Sequence, residues 1–240
     1  MTTLEVRKLV KRYNRRTVVN QVSMTVESGR VTGLLGPNGA GKTTTFYMTV
    51  GMIHPDKGSV LLSGEDITTD PMYRRSRKGI GYLPQEASIF RKLTVYDNIE
   101  TILEFMPLTA AERRSRIKGL LDELGILKRS GQKAGLLSGG ERRRLEISRV
   151  LATDPKFVLL DEPFAGVDPL AVADIRDIIR HLTNRGIGVL ISDHNVRETL
   201  SVCDTAYILS QGSVIESGSP NHIANSEIAR RIYLGKEFRL

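Results

Sequence analysis

Val31-Thr-Gly-Leu-Leu-Gly36-Pro-Asn-Gly-Ala-Gly41-Lys42-Thr43-Thr44 is the stretch on which the fold turns. Val31 to Leu35 is a short apolar strand, Gly36 opens a glycine-rich turn, and Lys42 to Met52 carries helical residues, so the order is strand, loop, helix. Within it, Gly36 to Thr43 matches G-x-x-x-x-G-K-[ST], whose glycines let successive backbone N–H groups curl around a phosphate at a helix N-terminus. Gly36, Pro37, Asn38, Gly39, Ala40, Gly41 and Thr44 are expected to wall a triphosphate site. Lys42 supplies a point charge near the β and γ oxygens, and the Thr43 hydroxyl is placed to ligate Mg²⁺. An ordinary glycine-rich turn would not require a strand before it and a helix behind it.

Further along, Phe157-Val-Leu-Leu-Asp161-Glu162 is an apolar strand that ends in two adjacent carboxylates, as a parallel sheet presents residues at the C-terminal ends of its strands. Beside a phosphate loop, Asp161 is expected to reach Mg²⁺ through its water shell. Glu162 would then accept a proton from, or orient, the water that attacks the γ-phosphate. Leu137-Ser138-Gly139-Gly140-Glu141 has two compatible readings: a capping box opening the helix from Arg142 to Leu151, and a second phosphate site made of a hydroxyl and exposed N–H groups. The spacing does not say whether the two phosphate sites meet within one chain or between two.

The rest of the chain fits an α/β body with an insertion. Leu4 to Val10 and Val18 to Val26 alternate apolar and polar residues and are joined through Tyr13 to Arg16, which predicts an antiparallel edge sheet. Val60 to Leu62 and Ile80 to Leu83 read as short strands, with Ser63 to Asp66 as a turn. From about Ser88 to Thr153 helix starts replace strands. Thr94 to Asp97 and Thr109 to Glu112 are capping boxes, and Ile117, Leu120, Leu121 and Leu124 form a helical stripe. The expected division is a nucleotide-binding core with a β subdomain over 1–87 and 154–240, and a helical subdomain over 88–153. After Phe157 to Leu160, Asp168-Pro169 caps a helix to about Asn184, Gly188 to Ser192 is a buried strand, and Ala206 to Leu209 with Val214 to Glu216 flank a Gln211-Gly212 hairpin turn.

The 240 residues suffice for one substantial core, and 40% hydrophobic with 26% charged content is that of a soluble globular chain. No run approaches the roughly 18 apolar residues of a membrane span. The start Met1-Thr-Thr-Leu-Glu-Val-Arg has no secretory pattern, so a cytoplasmic location is expected. The single Cys203 reads as a buried structural thiol. The net charge of +8 suits nucleic acid, an anionic lipid surface, or a mere excess of arginine. Clusters at Arg74, Arg75, Arg77 and Lys78, at Arg113, Arg114 and Arg116, and at Arg142 to Arg144 read first as solvated helix faces. With aromatic content of 5% and no Trp, no base-stacking platform accompanies them, which argues against nucleic acid.

Gly36 to Thr43, Gln85, Leu137 to Glu141, Asp161-Glu162, Asp168 and His194 together resemble the ATP-binding subunits of ABC transporters over essentially the whole chain. The resemblance implies a P-loop α/β core that binds ATP and Mg²⁺, with Tyr13 stacking on adenine. It implies that Gln85 senses Mg²⁺ and the γ-phosphate, that Asp168 acts across a dimer, and that His194 contacts the γ-phosphate as a switch. Glu162, His194, Lys42 and Gln85 would then be catalytic, and Thr43, Gln85 and Asp161 would attend the metal. In that family two subunits sandwich two ATP molecules head to tail, so Ser138, Gly139, Gly140 and Glu141 would close over a partner's nucleotide. The signature ends in Glu141 where the commoner form has Gln. Gly81 to Phe90, Asp193 to Leu200 and Tyr233 to Leu240 are similar to the ATPases of lipopolysaccharide export, which implies a homodimer beneath two membrane partners, LptF and LptG, on the cytoplasmic face of the inner membrane. Phe90 and Arg91 would help line the groove that receives those partners, and basic residues would face anionic lipid. Rival readings are an amino-acid importer's ATPase, a soluble ABC protein on ribosomes or DNA, and an adenylate-type kinase. The soluble ABC proteins usually carry two cassettes or a long coiled coil, and this chain shows one cassette and no sustained heptads.

Overall fold

A computed structural model of the chain describes residues 2–167, 169–235, 237–238 and 240. Two sheets organise it. The first is antiparallel, in the order β2 (Arg16–Glu27), β1 (Thr3–Tyr13), β4 (Lys57–Leu62), β5 (Glu65–Asp66). The second runs β10 (Ser213–Gly218), β9 (Thr205–Ser210), β3 (Val31–Leu35), β8 (Gly188–Ser192), β7 (Phe157–Asp161), β6 (Ile80–Leu83), parallel throughout except for the β9–β10 hairpin.

β3, β7 and β8 are buried along their whole length, which is why they read as continuous apolar runs without alternation. Their alternate residues serve two cores. Leu34, Phe157, Leu159 and Leu190 pack with Leu4, Val6, Met24, Val26 and Phe46 between the two sheets. Val31, Val158, Leu160, Val189 and Ile191 face the other way, into a cluster with the helices. These include α3 (Val95–Leu103), α4 (Ala110–Glu123), α5 (Gly139–Leu151) and α6 (Pro169–Asn184), of which α3 to α5 stand between β6 and β7. The remaining α-helices of the described residues are α1 (Lys42–Val50), α2 (Met72–Arg77), α7 (Val196–Val202), α8 (Pro220–Asn225) and α9 (Glu227–Ala229).

The three expected capping boxes form. Thr94, Thr109 and Ser138 each accept from the N–H three residues on, and Asp97, Glu112 and Glu141 each return the bond to the cap's own N–H. Elsewhere the structure extends or narrows the sequence expectations. β1 and β2 run longer than Leu4 to Val10 and Val18 to Val26, because the register breaks between Val6 and Leu9 and between Leu9 and Lys11. At such bulges the period of two is lost, and Leu9 and Val10 are both buried in succession. The first helix ends at Val50 rather than Met52, and of the expected turn Ser63 to Asp66 the last two residues pair with β4 as a short strand.

One reading is corrected. Arg75 does not belong to a solvated face: it is fully buried, and its guanidinium donates to the carbonyls of Met48 (2.8 Å), Thr49 (2.7 Å), Thr68 (2.9 Å) and Asp70 (2.9 Å). Met48 and Thr49 lie in the last turn of α1, whose carbonyls have no intrahelical partner, so a side chain from α2 caps the helix that begins in the phosphate loop. Burial pulls the guanidinium down to about 10, opposed by the charges of Asp70 and Asp66. Arg75→Met would orphan these carbonyls and is expected to cost about 3–5 kcal/mol, read as a lowered urea midpoint. Cys203 is half-buried against the core with Sγ facing Gly33, and burial pushes its thiol up, which suits an inert packing residue.

Candidate functional site

The C-terminal ends of β3, β7 and β8 converge on one edge of the parallel sheet, where α/β proteins place their chemistry. The loop after β3 brings its glycines into backbone that only glycine holds without strain. Gly36 (φ 145°) lies so close to the Leu209 carbonyl that a Cβ would overlap it, and at Gly41 (φ 98°) a Cβ would sit 2.5 Å from the Val18 carbonyl. Lys42 is 7% exposed and folds back into the loop, donating from Nζ to the carbonyls of Gly36 (2.6 Å) and Pro37 (3.0 Å). Burial pulls its ammonium down, while the charges of Glu162 and Asp193 pull it back up. Pro37, Asn38, Gly39 and Ala40 line a groove with Arg16, Thr17 and Val18 from β2 and Gln211-Gly212 from the terminal hairpin. Thr43 is exposed and Thr44 half-buried at the start of α1.

At the end of β7, Asp161 is 6% exposed, and the Tyr82 hydroxyl donates to its Oδ2 at 3.3 Å. Burial pushes this carboxyl up, opposed by hydrogen bonds from Tyr47 and Tyr82, with the charges of Glu162 and Asp193 adding to the rise. Glu162 turns out of the strand in left-handed backbone (φ 44°), a conformation an ordinary residue adopts only under constraint, and its N–H is fixed by the Ser192 carbonyl at 2.7 Å. Its Oε2 meets Gln85 Nε2 at 3.0 Å and His194 Nδ1 at 3.3 Å. Thus residues 85, 162 and 194, far apart in sequence, share one carboxylate oxygen.

Asp193, fully buried behind His194, was not among the residues singled out from the sequence. Its Oδ2 accepts from the Phe164 N–H and its Oδ1 from the Asn195 N–H, each at 2.8 Å, so it fastens the backbone on both sides of the site. Burial pushes it up, and these N–H donors pull it down. A signal existed: it follows β8 as Glu162 follows β7, one residue past a wholly buried parallel strand. Tyr47 and Tyr82 were also missed, and nothing local marks a tyrosine that will meet a carboxylate from another strand.

Ser138 Oγ accepts the Glu141 N–H at 3.3 Å, and Glu141 answers the Ser138 N–H at 2.9 Å and Arg129 Nε at 2.8 Å. The Ser138 N–H, the Arg129 guanidinium and the Ser138 hydroxyl hold the Glu141 carboxyl down to about 2. Its charge is therefore already answered within the turn, where the commoner signature has a neutral Gln. Gly139 and Gly140 line a cleft with Gln85, Glu162 and Asp174, while the groove at the phosphate loop contains none of the signature residues. Tyr13 stands at the end of β1, 46% exposed and paired in register with Arg16, which lines the phosphate groove. Asp168 lies outside the described residues.

A third cavity, of about 1020 Å³, opens between α2 and α3, with Tyr73, Phe90, Phe105 and Arg149 among its walls. Phe90 is 50% and Phe105 83% exposed, and the Arg149 guanidinium lies 4.8 Å from the Phe90 ring centroid. Among the described residues no helix is long and apolar enough to cross a membrane.

Compared with known proteins, the chain matches the family described as ABC transporter over residues 19–165. It is 55% identical to the lipopolysaccharide export system ATP-binding protein LptB of Haemophilus influenzae and, at the same identity, to that of Escherichia coli, each alignment covering 100% of both chains. Its structure is similar to that of an ABC-transporter ATP-binding cassette in its ADP conformation, with a TM-score of 0.87 at 29% identity, over 98% of this chain and 100% of the other. A nucleotide-free cassette gives 0.84 over the same shares.

Proposed function

The chain belongs to the ABC transporter family of ATP-binding proteins, and on that premise we propose that it is the ATP-hydrolysing subunit that powers lipopolysaccharide extraction from the inner membrane and export towards the outer membrane. The observation that carries the hydrolytic reading is the convergence of Gln85 and His194 on one oxygen of Glu162, with Lys42 close enough for its charge to be felt there. Lys42 and the loop N–H groups would hold the phosphates. Glu162 would take the proton of the attacking water, with Gln85 and His194 fixing the carboxylate and reaching the γ-phosphate.

Mg²⁺ fits the residues present. Thr43 offers a hydroxyl, Gln85 an amide oxygen and Asp161 a buried carboxylate that a cation would relieve of its desolvation cost, so the donor set is oxygen alone. Among the described residues no three His, Cys, Asp or Glu side chains gather as a metal cage, which suits an ion that arrives with the phosphates it screens. Bound there, Mg²⁺ would neutralise charge developing on the transferred phosphoryl group.

A homodimer is supported by the separation of the two phosphate-binding elements. No signature residue lines the phosphate groove, although Gly139 and Gly140 share a cleft with Gln85 and Glu162, so a second copy's turn would supply the wall that the groove lacks. Residues 88–153 would act as the lobe that carries the signature, Asp168 would reach across the dimer, and Tyr13 would cover the adenine beside the loop. The apolar cavity around Phe90, with Arg91 beside it, would receive LptF and LptG on the cytoplasmic face of the membrane, where basic residues gain from anionic lipid. Pull-down from solubilised membranes is expected to bring down two integral membrane proteins, and depletion to stop lipopolysaccharide from reaching the cell surface. Phe90→Ala should reduce the recovered partners about tenfold or more while leaving ATPase activity of the isolated chain intact, as loss of a buried aromatic anchor does. Normal surface lipopolysaccharide together with failed amino-acid uptake would transfer the assignment to an importer.

A further inference from the structure

The backbone of Ser88 is held from both sides by side chains of α5. Its N–H donates to Glu146 Oε1 at 2.9 Å, and its carbonyl accepts from Arg149 Nη1. Glu146 is 4% exposed, and its second oxygen accepts from Arg143 Nη1 at 3.2 Å. These three residues recur at intervals of three along α5 and so lie along one side of it.

The place of the clamp matters. Ser88 lies three residues after Gln85, whose amide touches Glu162, and two before Phe90, which lines the apolar cavity. The same helix opens on the Ser138–Glu141 turn. One buried carboxylate therefore fastens the segment that reaches the reacting end of the site to the helix that presents the second phosphate-binding turn. The carboxylate offsets its burial cost through the Ser88 N–H and the Arg143 guanidinium, so its bonds tie two segments together where an apolar side chain would only pack.

We propose that Glu146 is a positioning residue for ATP hydrolysis: it holds residues 85–90 against α5, so that Gln85 is set on Glu162 in step with the signature turn. This rests on the ATPase reading above. The phosphate loop and α1, with Lys42, would carry most of the nucleotide affinity and are not touched by the clamp, so its loss should fall mainly on turnover and leave binding little changed.

The test uses the full chain with Glu146→Leu and Glu146→Gln, the latter keeping an acceptor for the Ser88 N–H at nearly the same volume. Glu146→Leu is expected to lower kcat about tenfold or more with KM for ATP within about threefold of the parent, and Glu146→Gln to restore kcat to within about threefold. Exchange of the Ser88 amide with solvent should be fast in the Leu variant and slow in the Gln variant. Unchanged kcat in Glu146→Leu, Gln and Leu variants equally impaired, or KM rising in proportion as kcat falls would each overturn the proposal. Should Glu146→Leu not fold, Arg149→Met releases the carbonyl side of the same clamp and is expected to lower kcat at constant KM; parental kcat there would be as damaging. A parent chain with no ATPase activity would sink the enzymatic reading itself, whereas an active parent whose variants all match it sinks only the role of Glu146.

Discussion

Glu162→Gln is expected to lower ATP turnover by about 10²- to 10⁴-fold, the contribution of a positioned general base, while ATP binding persists. The substitution is close to isosteric. Gln retains an oxygen that can accept from Gln85 Nε2 and His194 Nδ1, both of which meet Glu162 at one oxygen, and it keeps the left-handed backbone that turns the side chain off β7. What disappears is the negative charge able to take a proton. If, as proposed, a second copy's signature turn covers the phosphate groove, which none of this chain's signature residues line, ATP should bridge two copies, and a variant that binds without hydrolysing should accumulate as a dimer in Mg²⁺-ATP. Size-exclusion chromatography with and without nucleotide reads the second effect, and phosphate release the first. Turnover at the parental rate would remove Glu162 from the chemistry; a turnover loss with no dimer would leave the base in place and remove the two-copy site.

The elements legible in the sequence are those whose cause is local. The three capping boxes each form within four residues, and the apolar strands β3, β7 and β8 stand out because a parallel strand is covered on both faces. β1 and β2 read short in the sequence where register shifts break the alternation, a matter of pairing with a partner strand that no window along one strand contains. Arg75 shows the same limit for charge. A run of Arg and Lys fixes where cations occur but not which of them turns inward, and here the end of α1, with carbonyls lacking partners, draws one guanidinium out of water.

The site divides along a similar line. The glycine-rich loop before α1, the Asp161-Glu162 pair at the end of β7 and the capped turn at Ser138 are legible because each is a contiguous motif with its own backbone logic. That Gln85 and His194 would meet one oxygen of Glu162 was not, since the three follow different strands, β6, β7 and β8, and only the order of the parallel sheet brings them together. Asp193 is overshadowed in the sequence by the more conspicuous His194, though its buried carboxylate fixes the backbone on either side of His194. Lateral juxtaposition is a property of sheet order, and sheet order is what a linear reading lacks.

Lys42→Ala carries the largest expected effect on binding. In the proposed site the ammonium would contact the phosphates directly, and charge-assisted hydrogen bonds to a buried charge contribute about 1.5–3 kcal/mol, so affinity for ATP should fall at least tenfold and up to about 150-fold. A second consequence follows from where Lys42 rests. Its Nζ donates to the Gly36 and Pro37 carbonyls and so braces the loop, and Ala would leave both oxygens without that donor. The loss should therefore exceed what a surface lysine beside a phosphate would cost, and it should be only partly screened by salt, since Lys42 is 7% exposed. Isothermal titration with ATP at low and at high salt separates the two contributions. A wholly salt-screened loss would mean that the lysine acts at long range, and an unchanged affinity would remove it from the phosphate site. Lys42→Arg sharpens the same test: charge is kept, but the guanidinium fork is too broad for a pocket in which Nζ already lies 2.6 Å from Gly36 O, so binding should remain impaired if fit within the loop matters as much as charge.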